Sequence, residues 1–320
     1  MAAGDYSTAA LLADQILDLA QREGGTASFG LASFAQVWVG FIRGDLAGTE
    51  DHFARCGGLL DADGFKEVPA AAVVTLGVAS LCAGALGHAD SARERIAQGI
   101  AFARDSNKPF DLEMGRMYES WLYCLLREPR RAELAAMQVL IIAEEHGFSS
   151  IRDLTRTMLG WAWAQRGQAG EGIALIRQGL VGLAEAAGRL AITDQLTRMA
   201  EAQALDGKLD DALITIEEAL QANPEELVFR PNALTCRGEL RLKVGQTELA
   251  EADFREAIAL APTMQAKAWE LRATISLARL LASQGRRNEA RAMLATIYGW
   301  FTEGFDTGDL KDAKALLEQL

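Results

Sequence analysis

Residues 245–262 read GQTELAEADFREAIALAP. A glycine opens the stretch, Ala250 follows five places later, Phe254 nine, Ala257 twelve and Ile258 thirteen. At 3.6 residues per turn those offsets fall on one helical face, so the stretch predicts a turn and then a helix with a packing stripe of small and large apolar groups. The same spacing follows Gly207 (Ala212, Ile216, Ala219, Leu220) and Gly285 (Ala290, Leu294, Ile297, Tyr298). Working outward, the anchors are Gly4, Gly44, Gly87, Gly167, Gly207, Gly245 and Gly285. The spacing puts one more at Arg127, where Arg127-Glu128-Pro129 replaces the glycine turn.

The step between anchors is about 40 residues, in the range of helical repeat arrays. Seven places before the anchors stand Ser80, Ser120, Gly160, Ala200, Gly238 and Ala278, with Val37 the one large exception. Small residues there let a preceding helix cross closely, so each unit is read as helix, turn, helix. One such pair cannot bury its apolar face, whereas stacked pairs can. The expected fold is all-α, a right-handed α-solenoid. Residues 1–25 are expected to hold an unpaired second helix, 26–298 seven helix pairs, and 299–320 an aromatic corner with a capping helix. In that cap, Asp306 or Thr307 is the expected N-cap and Leu310, Ala313, Leu317 and Leu320 share a face, with Tyr298, Trp300, Phe301 and Phe305 filling the corner.

Composition agrees with helices. Of 320 residues half are hydrophobic, 7% aromatic and only 6 are proline. The net charge of −12 argues against a bare cationic surface for nucleic acid. Cys56, Cys82, Cys124 and Cys236 are too scattered for a disulfide framework or a zinc site and read as buried apolar residues in a reducing compartment, which makes a cytoplasmic location the expectation. The uncharged run from Val68 to His88 has nearly the length of a membrane span, but its Ala, Gly and Val content and its place in the repeat register predict a core helix.

No phosphate loop is present, since Gly207-Lys208 is followed by Leu209 in a repeat turn. His52, His88 and His146 sit at helix ends or turns, and Asp61-Ala62-Asp63-Gly64 lacks the remaining ligands of a calcium loop. The expectation is therefore no enzyme, no metal and no cofactor.

The Gly-x-x-x-x-Ala-x-x-x-Phe-x-x-Ala pattern, with Pro224 and Pro262 twelve residues after Ala212 and Ala250, resembles the tetratricopeptide repeat (TPR). The run from Trp269 to Leu320, above all Tyr298-Gly299-Trp300-Phe301-Thr302-Glu303-Gly304-Phe305-Asp306-Thr307, is similar to the end of large bacterial signalling proteins that join an adenylate cyclase domain, an AAA-type ATPase module and a TPR arm. This resemblance implies a regulatory arm, with a protein or peptide as partner, a covalently linked ATPase or cyclase module among the candidates.

In TPR arrays the first helix of each pair lines the inner groove with residues six and ten places before the anchor. Here those positions include Phe34, Trp38, Met117, Trp121, Trp161, Glu201, Glu239 and Arg279. With Phe41, Asp194 and Arg272 they are the candidate binding residues: an aromatic first half, then a polar half in which Asp194, Glu201 and Glu239 are expected to face Arg272 and Arg279. Two functions fit this pattern, a protein-interaction scaffold and a small-ligand sensor. The tryptophans decide between them, and they also fit a purely packing role between helices. The Lys and Asn clamp of chaperone-binding TPR proteins is missing.

Overall fold

The computed structural model describes residues 5–61, 68–185 and 190–320, and among them there is no strand. In chain order the helices are α1 (Tyr6–Glu23), α2 (Thr26–Ile42), α3 (Leu46–Asp61), α4 (Pro69–Leu86), α5 (Ala89–Asp105), α6 (Pro109–Leu125), α7 (Pro129–His146) and α8 (Ser149–Gln165). They continue with α9 (Ala169–Glu185), α10 (Ile192–Leu205), α11 (Leu209–Ala222), α12 (Arg230–Lys243), α13 (Thr247–Leu260), α14 (Lys267–Ser283), α15 (Arg287–Tyr298) and α16 (Gly308–Gln319). Short 3-10 turns at Leu227–Phe229 and Ala261–Met264 precede α12 and α14.

The turns carry the chain reversal. Gly44, Gly87, Gly167, Gly207, Gly245 and Gly285 all have positive φ, and so does Arg127 at +56°. A side chain in that region costs about 1–2 kcal/mol. At Arg127 an ion pair with Glu201, 3.3 Å away, offsets it. Gly4 and residues 62–64 of the acidic turn lie outside the described residues.

The small residues seven places before the anchors sit at helix crossings. A Cβ added to Gly160 would fall 2.5 Å from the Gly172 carbonyl oxygen, and one added to Gly238 would fall 2.5 Å from the Phe254 ring. Helix α4 is long and apolar enough to cross a membrane, yet 89% of its apolar window is buried inside the helix stack, as its place in the register predicted.

Packing is mostly between neighbours. Within each unit α2 meets α3, α4 meets α5, and so on to α14 with α15, while α2, α4, α6, α8, α10, α12, α14 and α16 stack in series. In a stacked solenoid each repeat contacts its neighbours, and here the structure adds contacts between distant repeats. Helix α14 returns to touch α4, and the Leu227–Phe229 turn touches α2. The coil therefore closes on itself, and one apolar core joins Tyr6, Trp38 and Trp121 to Phe229, Met264 and Trp269.

The C-terminal aromatic corner takes part in this closure. Phe301 and Trp300 lie against Gly87, Trp300 packs on His88 at 5.5 Å, and Tyr298 meets Phe305 edge-on. The corner thus reaches the α4–α5 turn as well as the last pair. Thr307 is the N-cap residue of α16, whose buried side chains are Leu310, Ala313 and Leu316, with Leu317 and Leu320 at the margin.

Candidate functional site

Because α6, α8 and α10 stack side by side, Trp121, Trp161 and Glu201 occupy one register position in three successive units. Each indole donates to a carboxylate on the inner face. Trp121 Nε1 donates to Asp194 Oδ2 (2.9 Å), and Trp161 Nε1 donates to Glu201 Oε2 (2.6 Å). Arg198, one helical turn from Asp194, pairs with it and lies 5.8 Å over the Trp121 ring. Burial pushes the Asp194 carboxyl up, and the Arg198 guanidinium and the indole N–H oppose that rise. Glu201 in turn holds Arg127 in its charged form.

These groups converge on a central cavity of about 20 Å³, completed by Phe229, Asn232, Trp269 and Arg272. That is room for roughly one water, and Trp269 Nε1, which finds no protein acceptor, is a donor suited to it. A larger open depression of about 840 Å³ on α8 and α9 is lined by Arg152, Arg156 and Arg177 and holds none of the predicted inner-face residues.

The remaining candidates are dispersed around this centre. Trp38 stacks on Tyr6 at 6.1 Å and donates to Tyr118 Oη (3.2 Å). Phe41 and Met117 are buried beside it and Phe34 is partly buried. Relative exposure is 6% for Trp38 and 2% for both Trp121 and Trp161, so the rings are packed and present no open trough.

Asp194, Glu201 and Arg272 face one another across the central cavity, but the arginines of the polar half take their ion pairs elsewhere. Arg272 donates to Asp309 (2.7 Å), Asn232 (2.8 Å) and the Leu125 carbonyl (2.8 Å), and Arg279 pairs with Asp312 (3.0 Å). Glu239 accepts from Ser276 (2.8 Å). The cause is α16, which lies against α14 and brings its own carboxylates within reach of both arginines.

Sequence reasoning missed Arg127, Arg198, Phe229, Asn232, Trp269 and Glu226. Arg198 was legible as the i+4 partner of Asp194. Phe229 and Glu226 stand in a connection between repeats and carry no periodic signal.

Nothing at this centre is arranged as a nucleophile. All four cysteines are buried and free, and burial pushes the Cys124 thiol up to about 12, which keeps it protonated. Among the described residues no three His, Cys, Asp or Glu side chains are grouped to hold a metal ion.

No protein-family model matches the sequence, and no curated protein matches it. Solved structures do share the fold. The NprR structure in complex with its cognate peptide NprX aligns with a TM-score of 0.60 at 13% identity, over 90% of this chain and 81% of that one. The apo quorum sensor NprR from B. thuringiensis aligns at 0.53 with 14% identity, covering 90% of this chain and 80% of that one. Apo RapI aligns at 0.55 with 11% identity, covering 90% and 98%. At such identities the likeness is one of fold, a TPR-like helical solenoid.

Proposed function

We propose that the chain is a non-catalytic regulator that binds a protein or peptide segment along its inner face, using Trp38, Trp121 and Trp161 with the flanking carboxylates and arginines. One observation carries this reading: Phe229 lies in the aromatic inner face as a partner's anchor would. It stacks on Trp121 at 6.1 Å and meets Phe41 edge-on at 6.0 Å. Indoles pinned through their N–H groups hold their ring planes in a fixed orientation for such a guest, and aromatic anchors in desolvated pockets dominate binding energies. That NprR holds a peptide on the same fold lends support.

A small-ligand sensor has less support. The central cavity of about 20 Å³ is far below the roughly 300 Å³ of ordinary ligand pockets. The similarity of residues 269–320 to the ends of cyclase and ATPase signalling proteins supports a narrower proposal, in which the regulated partner is a module of that kind, linked or separate.

Selection of peptides from a displayed random library against the full chain tests the main reading. Peptides that shift tryptophan emission and bind about tenfold more weakly to Trp121→Phe are expected. Selected peptides that bind this variant as tightly as the native chain would contradict it, as would a selection that enriches nothing.

A further inference from the structure

The connection between α11 and α12 is held in the inner face more elaborately than a loop requires. Glu225 accepts from the Tyr6 backbone N–H (2.9 Å) and from the Ser7 hydroxyl at the start of α1, where free helix N–H groups favour an anion. Glu226 accepts from Tyr6 Oη (3.1 Å), Ile192 N–H (3.2 Å) and Thr193 N–H (2.9 Å). After Leu227, Val228 and Phe229 are buried, and the Phe229 ring fills the slot between Phe41 and Trp121. Apart from the two N–H groups of α10, every anchor named here belongs to α1, α2 or α6, far away in sequence. An acidic pair on helix-terminal donors followed by an aromatic in a slot is how a short bound peptide is held.

We infer that Glu225-Glu226-Leu227-Val228-Phe229 is a built-in pseudo-ligand. The partner of this face is then a peptide segment of the same chemistry, an acidic pair followed within three residues by an apolar and an aromatic residue, which competes with the internal copy. The inference rests on the reading of the inner face as a peptide site and adds the chemistry of its occupant. It also explains why the groove is filled: the internal segment holds the closed form until a competitor displaces it.

The test uses the full chain and a fluorescein-labelled peptide of sequence NPEELVFR, copied from residues 223–230, read by fluorescence anisotropy. In Phe229→Ala the slot is vacated, and this chain is expected to bind the peptide about tenfold more tightly than the native chain. A peptide with Ala in place of Phe, or Gln in place of both Glu, is expected to bind about tenfold more weakly. Glu226→Gln, which weakens the internal copy's carboxylate contacts and leaves every donor of the face in place, is the gentler release, with a gain of about threefold. Equal binding by the native chain and by a Phe229→Ala chain that melts cooperatively overturns the inference. If Phe229→Ala does not fold, unchanged affinity in Glu226→Gln overturns it. Should library peptides of unrelated chemistry bind at Trp121 without displacing the labelled probe, the inference falls while the inner-face reading stands.

Discussion

Glu113 is the residue whose environment makes the sharpest demand. Its carboxylate on α6 is 0% exposed and neither oxygen has a hydrogen-bond partner. Burial pushes its pKa from 4.5 up to about 7. The native chain therefore keeps a proton that the unfolded chain has already released. Stability is full below about 4.5, declines as the pH rises toward 7, and stays reduced above it. Glu113→Met is expected to flatten that decline and to add about 2 kcal/mol at pH 8, the order of one relieved unsatisfied polar group. Urea unfolding at pH 5 and pH 8 measures both. Equal loss of stability between these two pH values in native and variant chains would show that another group is responsible. Position 113 stands fourteen places before the Arg127 anchor, one turn beyond the positions read as groove-lining, so periodicity placed it on a helix but gave no sign that it would be sealed from water.

At the scale of helices and turns the sequence was most informative, because the physics there is local. A turn needs positive φ and a helix crossing needs a small side chain, and each leaves glycine at a fixed offset. The two uses separate by mutation. Gly167 has φ +90° and nothing within 4 Å of an added Cβ, so Gly167→Ala is expected to cost only the backbone term, about 1–2 kcal/mol. Gly160 has helical φ, and its added Cβ would meet the Gly172 carbonyl oxygen and Ile176, so Gly160→Ala must part α8 from α9. Its cost is expected to be larger, about 3 kcal/mol, at the upper end for overpacking. Thermal melts of both variants check the order, and a Gly160→Ala chain as stable as the native one would mean that this crossing is looser than described. Register alone brought Trp121, Trp161 and Glu201 into line. Which carboxylate each arginine chose was not legible, because α16 stands outside the repeat register, which gives no sign that its Asp309 and Asp312 come within reach of Arg272 and Arg279.

For the whole molecule the decisive fact is closure. A repeat array sums a small rotation at every step, and no single repeat records whether the sum brings the last pair back to the first. That is why the aromatic corner was legible as a sealed end but not as a strap. Glu303 accepts the N–H groups of Asp90 and Ser91 at the start of α5, Asp306 pairs with Arg93, and Arg272 reaches the Leu125 carbonyl at the end of α6. Together with Phe229 these contacts fill the face that an open solenoid would offer to a partner, so binding in this account works by competition with the chain itself. Small-angle X-ray scattering of the full chain tests closure most directly. A compact chain of 320 residues has a radius of gyration of about 20 Å, and the account predicts a value near it with a single compact distance distribution. A radius about half as large again, with the extended distance tail of an open superhelix, would contradict it.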